Sequence, residues 1–429
     1  MLSWVSILRL GLAQMSLGAI IVLMTSTLNR IMVVELALPA LVPGLLVGLH
    51  YAMQLSRPGW GHWSDLSRRR TPWIIGGMTV LALGGFLAAL GVAIGASLPV
   101  PGLVLSVLAY ALIGAGAGAS GTSVLAFLAA STAPRRRAAA ATIIWLMMIF
   151  GIAATAGIVG SLLDPYSPAR LLTIVACVSV GAVVLTSLAV LGLERGASAF
   201  PSAPGGRQPL RAGIAEIWAE PQARRFTQFV FLSMTAYFMQ ELILEPYAGL
   251  VFSFTPGQST SLSGAQNGGV FVGMLAVGIA ATGLGLGSLR AWVVAGCVGS
   301  AATLLGIAVI GPLQMNLILP LTILLGFCNG VFAVAAIGAM MALAGQGRAD
   351  REGTRMGLWG AAQAIAAGVG GLVGAVAVDV LRLLLAPDLA FASVFAAEAV
   401  LFLVAAGLAL RVIDPGRDRH LSATLVPGE

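Results

Sequence analysis

Arg137-Ala-Ala-Ala-Ala-Thr-Ile-Ile-Trp145, followed by Gly157-Ile-Val-Gly160, has a second copy in the same chain. It reads Arg351-Glu-Gly-Thr-Arg-Met-Gly-Leu-Trp359, followed by Gly371-Leu-Val-Gly374. All four landmarks recur 214 residues on, about half of the 429-residue chain. Gly114 and Gly118 return as Gly326 and Gly330 at an offset of 212. With 55 glycines in the chain, glycine matches alone decide little, but Arg and Trp are scarcer, at 23 and 8 copies, and they share the offset. The chain reads as a duplication.

Working outward, each copy lies in a series of long apolar runs. Twelve are of membrane-spanning length: 10–34, 39–57, 73–95, 102–130, 138–163, 170–193, 226–252, 262–287, 291–311, 315–344, 356–381 and 389–411. Each is near or above the roughly 20 residues that cross a ~30 Å hydrocarbon core. The repeat pairs span 4 with span 10 and span 5 with span 11, as two six-helix halves require. The predicted fold class is therefore an all-α membrane protein with 6+6 pseudo-symmetric halves, the major facilitator architecture. Residues 1–195 form the first bundle, 196–225 a Pro/Gly/Ser-rich linker with an amphipathic turn, 226–413 the second bundle and 414–429 a tail.

The basic residues orient this arrangement. There is no lysine, and the arginines fall between the spans on an alternating schedule. With the N-terminus in the cytoplasm, twenty arginines face that side and only Arg30, Arg170 and Arg382 face the other. The positive-inside rule then places both termini in the cytoplasm, in a multi-pass protein of the inner membrane. The chain enters its first span directly, and that span is too long for a signal h-region, so no cleaved leader is expected.

Composition narrows the function. A mean hydropathy of +0.98, with 59% apolar and 9% charged residues, excludes a soluble domain of this length. A pI near 10.1 would suit nucleic acid, but topology accounts for arginines spread over span ends. Without lysine there can be no Walker A loop, no kinase strand lysine and no Schiff-base lysine, so ATP does not drive this chain directly. Cys177, Cys297 and Cys328 sit singly in apolar runs and read as small core residues, and no metal site is expected.

The loop after span 2, Gly61-His-Trp-Ser-Asp65-Leu-Ser-Arg68-Arg69-Arg70, resembles the facilitator loop motif. There the Asp caps and pairs at a helix end while the arginines hold the cytoplasmic gate. Its longer form is more similar to the glycoside and sucrose branch than to drug-efflux members, with Ser67 standing where a Gly is usual. The corresponding stretch Gly283–Arg290 keeps only glycines and one Arg.

Four further stretches carry a narrower resemblance. They are Asn29-Arg30-Ile-Met-Val-Val-Glu35, Arg57-Pro-Gly-Trp60-Gly, Met239-Gln240-Glu241-Leu-Ile-Leu-Glu245-Pro246-Tyr247 and Met356-Gly-Leu-Trp359-Gly-Ala-Ala-Gln363. Together they resemble the PucC family, the bacteriochlorophyll-delivery branch of the facilitators in phototrophic bacteria. The resemblance implies a protein that handles or shelters bacteriochlorophyll, or a late precursor, while light-harvesting complexes assemble. Bacteriochlorophyll synthase or light-harvesting polypeptides are the implied partners, within membrane lipid and without enzymatic activity of its own. Two other functions stay open: an ion-coupled transporter of a small polar solute, and a cargo-free scaffold. The few aromatic and charged residues in the central spans speak against the first of these.

Polar residues inside the spans are the candidate site, because an intramembrane charge is costly unless it is paired or functional. Glu241 and Glu245 share one face of span 7, and Arg30 and Glu35 end span 1 at a similar depth. Arg30 is expected to pair with Glu241 or Glu245 between the halves; a protonatable coupling site or an outward-facing rim are the alternatives. His50, with Gln54 one turn on, could offer an axial donor to the Mg²⁺ of a chlorin, or simply hydrogen-bond a neighbouring helix. Asn267, Asn329 and Gln363 are similar candidates, against a role as polar contacts between helices. Glu398, near the midplane of span 12, must turn inward or meet a partner helix.

Overall fold

The computed structural model describes residues 2–57, 60, 69–132, 136–196, 218–344 and 352–413. Twelve α-helices follow in order among them: α1 (Trp4–Val22), α2 (Leu41–Gln54), α3 (Thr71–Gly95), α4 (Pro99–Ser131), α5 (Arg137–Leu163), α6 (Pro168–Val190), α7 (Pro221–Phe252), α8 (Pro256–Val277), α9 (Leu289–Ile310), α10 (Ile318–Ala344), α11 (Glu352–Arg382) and α12 (Pro387–Val412). No strand occurs among the described residues. In number and order the helices match the twelve expected spans. Gly61, Asp65 and Arg68 of the loop motif, residues 197–217 of the expected linker and the tail 414–429 lie outside the described residues.

Helix starts follow from local chemistry. Proline stands in the first turn of α3, α4, α6 and α12, where its missing N–H costs nothing. Ser3, Ser167 and Ser288 cap α1, α6 and α9, each hydroxyl accepting from the backbone N–H three residues on.

Three elements depart from the expected spans. Instead of ending as an α-helix, α1 continues through two π-helical stretches, Leu23–Leu28 and Ile31–Glu35. At 14 residues, α2 is too short to cross alone, although apolar. Polar residues in α7, including Arg224, Arg225, Gln240, Glu241 and Glu245, keep it below the hydropathy of a simple span. The other ten helices, with the π-helical extensions of α1 and α8, are long and apolar enough to cross a membrane.

The chain groups into two compact units. One is drawn from Met1–Ala203, Glu241–Asn267 and Ala375–Val380, the other from Pro204–Gln240, Gly268–Gly374 and Leu381–Glu429. In the first, α3 lies along α4 and α6, α2 along α4, and α1 along α5 and α6. The α3–α4 approach is close enough that a Cβ on Gly77 would stand 2.5 Å from the Ser120 nitrogen, and one on Gly84 2.9 Å from the Ala109 carbonyl oxygen. Glycine there lets backbones touch, the main source of helix attraction where lipid is as apolar as the side chains. In the second unit α9 packs on α10 and α12. A run of rings forms its core: Trp359 on Phe226 at 4.8 Å, and Phe229 and Phe402 each about 6 Å from Phe332.

Candidate functional site

In the first unit the polar side chains gather where α1 ends. Its first π-helical stretch carries Ser26 and Thr27, and Asn29 and Arg30 stand between the two stretches, all four buried. A π turn is uncommon and tends to mark a functional position. Arg30 is 3% exposed, yet its guanidinium is well supplied. Nη1 pairs with the Glu35 carboxylate, Nη2 donates to the Phe254 carbonyl at 2.5 Å, and Nε donates to Ser259 Oγ at 3.2 Å. The direct carboxylate partner is thus Glu35 on its own segment, where Glu241 or Glu245 was expected. The π turn explains the difference. It brings residues five apart onto one face, so Arg30 reaches Glu35 without leaving its helix.

Room for the guanidinium comes from Gly249 on α7. A Cβ there would sit 3.0 Å from Val34 and 3.2 Å from Arg30 Nη2. Tyr166, in the turn between α5 and α6, also feels this pair. Burial, then the Glu35 charge, push its hydroxyl above the ordinary phenol value, and Arg30 opposes them.

Proline chemistry writes a second contact. Pro246 has no N–H, so within α7 the Leu242 carbonyl four residues earlier loses its helical partner. Asn29 Nδ2 donates to that carbonyl at 2.8 Å. Ser26 donates its hydroxyl to Glu245 Oε1, and Thr27 and Thr260 hydroxyls meet at 3.2 Å. The second Glu245 oxygen is buried without a hydrogen-bond partner. Glu241 lies beside Thr25.

Two aspartates that sequence reasoning passed over complete this region. Asp164, following α5, accepts from Thr255 Oγ1 and from the Gly257 N–H at 3.1 Å, at the start of α8. Asp379, near the end of α11, accepts from the Ala40 and Leu41 N–H groups at 3.0 and 2.7 Å, at the start of α2. A signal was present: 164 and 379 differ by 215, close to the offset of the Arg and Trp repeat.

At the other end of the same helices, arginine and glutamate satisfy helix termini. Arg9 donates to the Ala189 and Leu191 carbonyls at 3.0 and 2.6 Å, closing the end of α6. Glu194 accepts from the backbone N–H groups of Arg70 and Thr71 where α3 begins. Arg69 and Arg70 of the loop motif are described, and Arg70 is buried. Trp60 donates its indole N–H to Ser56 at 2.8 Å and lies against Gly118.

The candidate pigment donors fall in both units, His50, Gln54 and Asn267 in the first and Asn329 and Gln363 in the second. His50 is wholly buried, with Gln54 Nε2 donating to its Nε2 at 2.7 Å while Gln54 Oε1 accepts from Arg57. The Arg57 contact fixes the Gln54 amide, so His50 Nε2 is the accepting nitrogen and Nδ1 carries the proton. The lone pair that a Mg²⁺ would need is therefore taken, and His50 in this state does not fit an axial ligand. Asn267 is half-buried and donates to the Ser263 carbonyl at 3.0 Å. In the second unit, buried Asn329 accepts from Ser300 at 2.8 Å, and Gln363 is half-buried on α11. Glu398 turns inward, wholly buried, and neither oxygen has a hydrogen-bond partner. Trp359 of the fourth motif is a core residue whose indole donates to Thr227 at 3.1 Å.

Twelve helices among the described residues, from a duplicated six-helix sequence, make a multi-pass membrane protein with the major facilitator fold. A bacterial homologue of the human lysosomal transporter Spinster, in an inward-facing and occupied conformation, superposes with a TM-score of 0.69 over 95% of this chain and 96% of its own, at 14% identity. The nucleoside transporter NupG gives 0.68 over 95% and 100%, at 13%. The family described as PUCC protein matches residues 27–416, and the chain belongs to it. A Rhodobacter capsulatus protein named bacteriochlorophyll synthase 44.5 kDa chain is 63% identical over the full length of both. Protein PucC of Cereibacter sphaeroides is 33% identical over 92% of this chain and 88% of its own.

Proposed function

We propose that this protein is a non-catalytic membrane partner of bacteriochlorophyll synthesis, which shelters or hands on bacteriochlorophyll or a late precursor during light-harvesting complex assembly. The observation that carries the reading is the 63% identity, end to end, with a chain named as part of bacteriochlorophyll synthase. The physical design supports it. Several buried polar groups engage one another, Ser26 with Glu245, Thr27 with Thr260 and Ser300 with Asn329, while large apolar side chains such as Val180, Leu188 and Ile158 face outward. A hydrophobic pigment would be met from the lipid phase by such a surface, and a docked synthase or antenna polypeptide would meet the same surface. Of the five candidate donors, the half-buried Asn267 and Gln363 are the ones a chlorin could approach with least rearrangement.

The arginine distribution supports both termini in the cytoplasm, with the Asp164 and Asp379 contacts at the opposite membrane face. Purification in mild detergent from a pigment-synthesising strain tests the functional reading. We expect chlorin absorbance, or a synthase or antenna polypeptide, to travel with the protein. Recovery of the intact protein with neither would refute it, and uptake of a polar solute by proteoliposomes would favour the transporter alternative.

A further inference from the structure

One group of side chains in the first unit is more polar than helix packing requires. Ser26 on the extension of α1, Glu245 on α7 and Ser263 on α8 meet at one carboxylate: Ser26 donates to Oε1, and Ser263 faces the same group. Beside them the Thr27 and Thr260 hydroxyls touch at 3.2 Å. Glu241 lies one turn before Glu245 on the same face of α7, next to Thr25. All of these residues belong to the first compact unit. Three helices thus contribute hydroxyl and carboxylate oxygens and no basic group.

Charge is what this arrangement lacks. Glu245 is 2% exposed, and its Oε2 is buried without a hydrogen-bond partner. The Arg30 guanidinium is matched by Glu35, and its other donors go to Phe254 and Ser259. A buried carboxylate without a counter-charge is costly, and a bound cation supplies one. The ligand atoms select the kind of cation. Carboxylate and hydroxyl oxygens are hard donors with no histidine or cysteine among them, which disfavours the softer transition metals. A single fully buried carboxylate balances one positive charge, which favours a monovalent ion. The backbone fits as well. Ser26 sits in a π-helical stretch and Glu245 precedes Pro246, so both helices are irregular where these groups meet. Irregular helices at membrane depth are a recurring setting for cation sites, because they free backbone carbonyls.

We propose that Ser26, Glu245 and Ser263 form a site for one sodium ion, with the half-buried Glu241 at its mouth and Thr27 and Thr260 bracing α1 against α8. Glu245 Oε2 supplies the charge. Ser26 gives up its hydrogen bond to Oε1 and offers the same oxygen to the ion, as Ser263 does from α8. Metal patterns in a sequence rest on His and Cys, so hydroxyls on three separate helices gave no such signal. The site does not rest on the pigment reading, since it concerns an ion and not the cargo.

Full-length protein in detergent, exchanged into sodium-free choline chloride at fixed pH, is melted as sodium replaces choline, with potassium run in parallel. Wild type should gain a few degrees by ~100 mM sodium, as a ligand of the folded state confers, and less in potassium. Glu245→Gln should abolish the gain. Ser263→Ala removes one ligand oxygen and keeps the carboxylate, so it should raise the half-saturating sodium concentration roughly tenfold. Binding of radioactive sodium to the same preparations should fall in the same order. A wild-type melt indifferent to sodium, a gain that potassium gives equally, or a gain preserved in Glu245→Gln overturns the site. If Glu245→Gln does not fold, an unchanged half-saturating concentration in Ser263→Ala overturns it instead. Stabilisation that follows pH and ignores sodium overturns it in favour of a proton on the carboxylate.

Discussion

Removing Arg30 should be among the most damaging single changes to this protein, and the identity of the suppressor distinguishes the structure from the sequence expectation. Arg30→Ala strips the Glu35 carboxylate of its partner, the Phe254 carbonyl of a charged donor and the Ser259 hydroxyl of a neighbour. Breaking a buried pair costs ~3–5 kcal/mol because a charge is stranded. Here the stranded group is Glu35, 37% exposed, so water takes up part of the loss. Ser259 keeps its bond to the Thr255 carbonyl. The cost is then placed near the lower end, ~3 kcal/mol. Adding Glu35→Gln to Arg30→Ala removes the stranded charge and should return ~1 kcal/mol, the scale of coupling between contacting residues. Adding Glu241→Gln or Glu245→Gln should return less, since neither touches the guanidinium. Arg30→Lys should fall between, keeping the charge and losing the fork that serves three acceptors. Thermal unfolding in detergent, with accumulation in the membrane, measures the series. If Glu245→Gln rescues Arg30→Ala as well as Glu35→Gln does, the pairing described here is wrong.

Three further outcomes follow from named contacts. Asn29→Ala should destabilise by ~1–3 kcal/mol by orphaning the Leu242 carbonyl, and Asn29→Ala with Pro246→Ala should recover most of it, because an N–H at 246 restores the helical bond. Melts that show no recovery in the double variant would remove proline from the explanation. Gly249→Val should cost ~1–3 kcal/mol by driving a branched side chain into Val34 and Arg30, with Gly249→Ala milder; a wild-type melting temperature for Gly249→Val would contradict the close approach. Glu398→Met should leave thermal stability equal or raise it by ~1 kcal/mol, since it exchanges a buried carboxylate without hydrogen-bond partners for an apolar chain of similar length. A clear drop in melting temperature would mean that the carboxylate has a stabilising partner.

Helix number, order and the duplicated architecture were legible in the chain, because each rests on a one-dimensional property. A span needs about 20 apolar residues in a row, and a repeat needs only a constant offset. That Arg30, Glu241, Glu245 and Glu398 need a partner or an inward position was legible for the same reason, since charge in hydrocarbon is costly at any position along a span. Which group meets which was decided by tertiary structure. Helical periodicity does not foresee π turns, so Glu35 was not singled out as Arg30's partner, and the Pro246 gap did not announce that Asn29 would fill it. By sequence His50 is either an axial donor or a hydrogen-bonded helix contact; in the fold Gln54, itself held by Arg57, occupies its accepting nitrogen. Asp164 and Asp379 were not singled out by any pattern in the sequence reading. Their meaning depends on two helix starts about 90 and 340 residues away in sequence, and only the folded chain brings those N–H groups within reach.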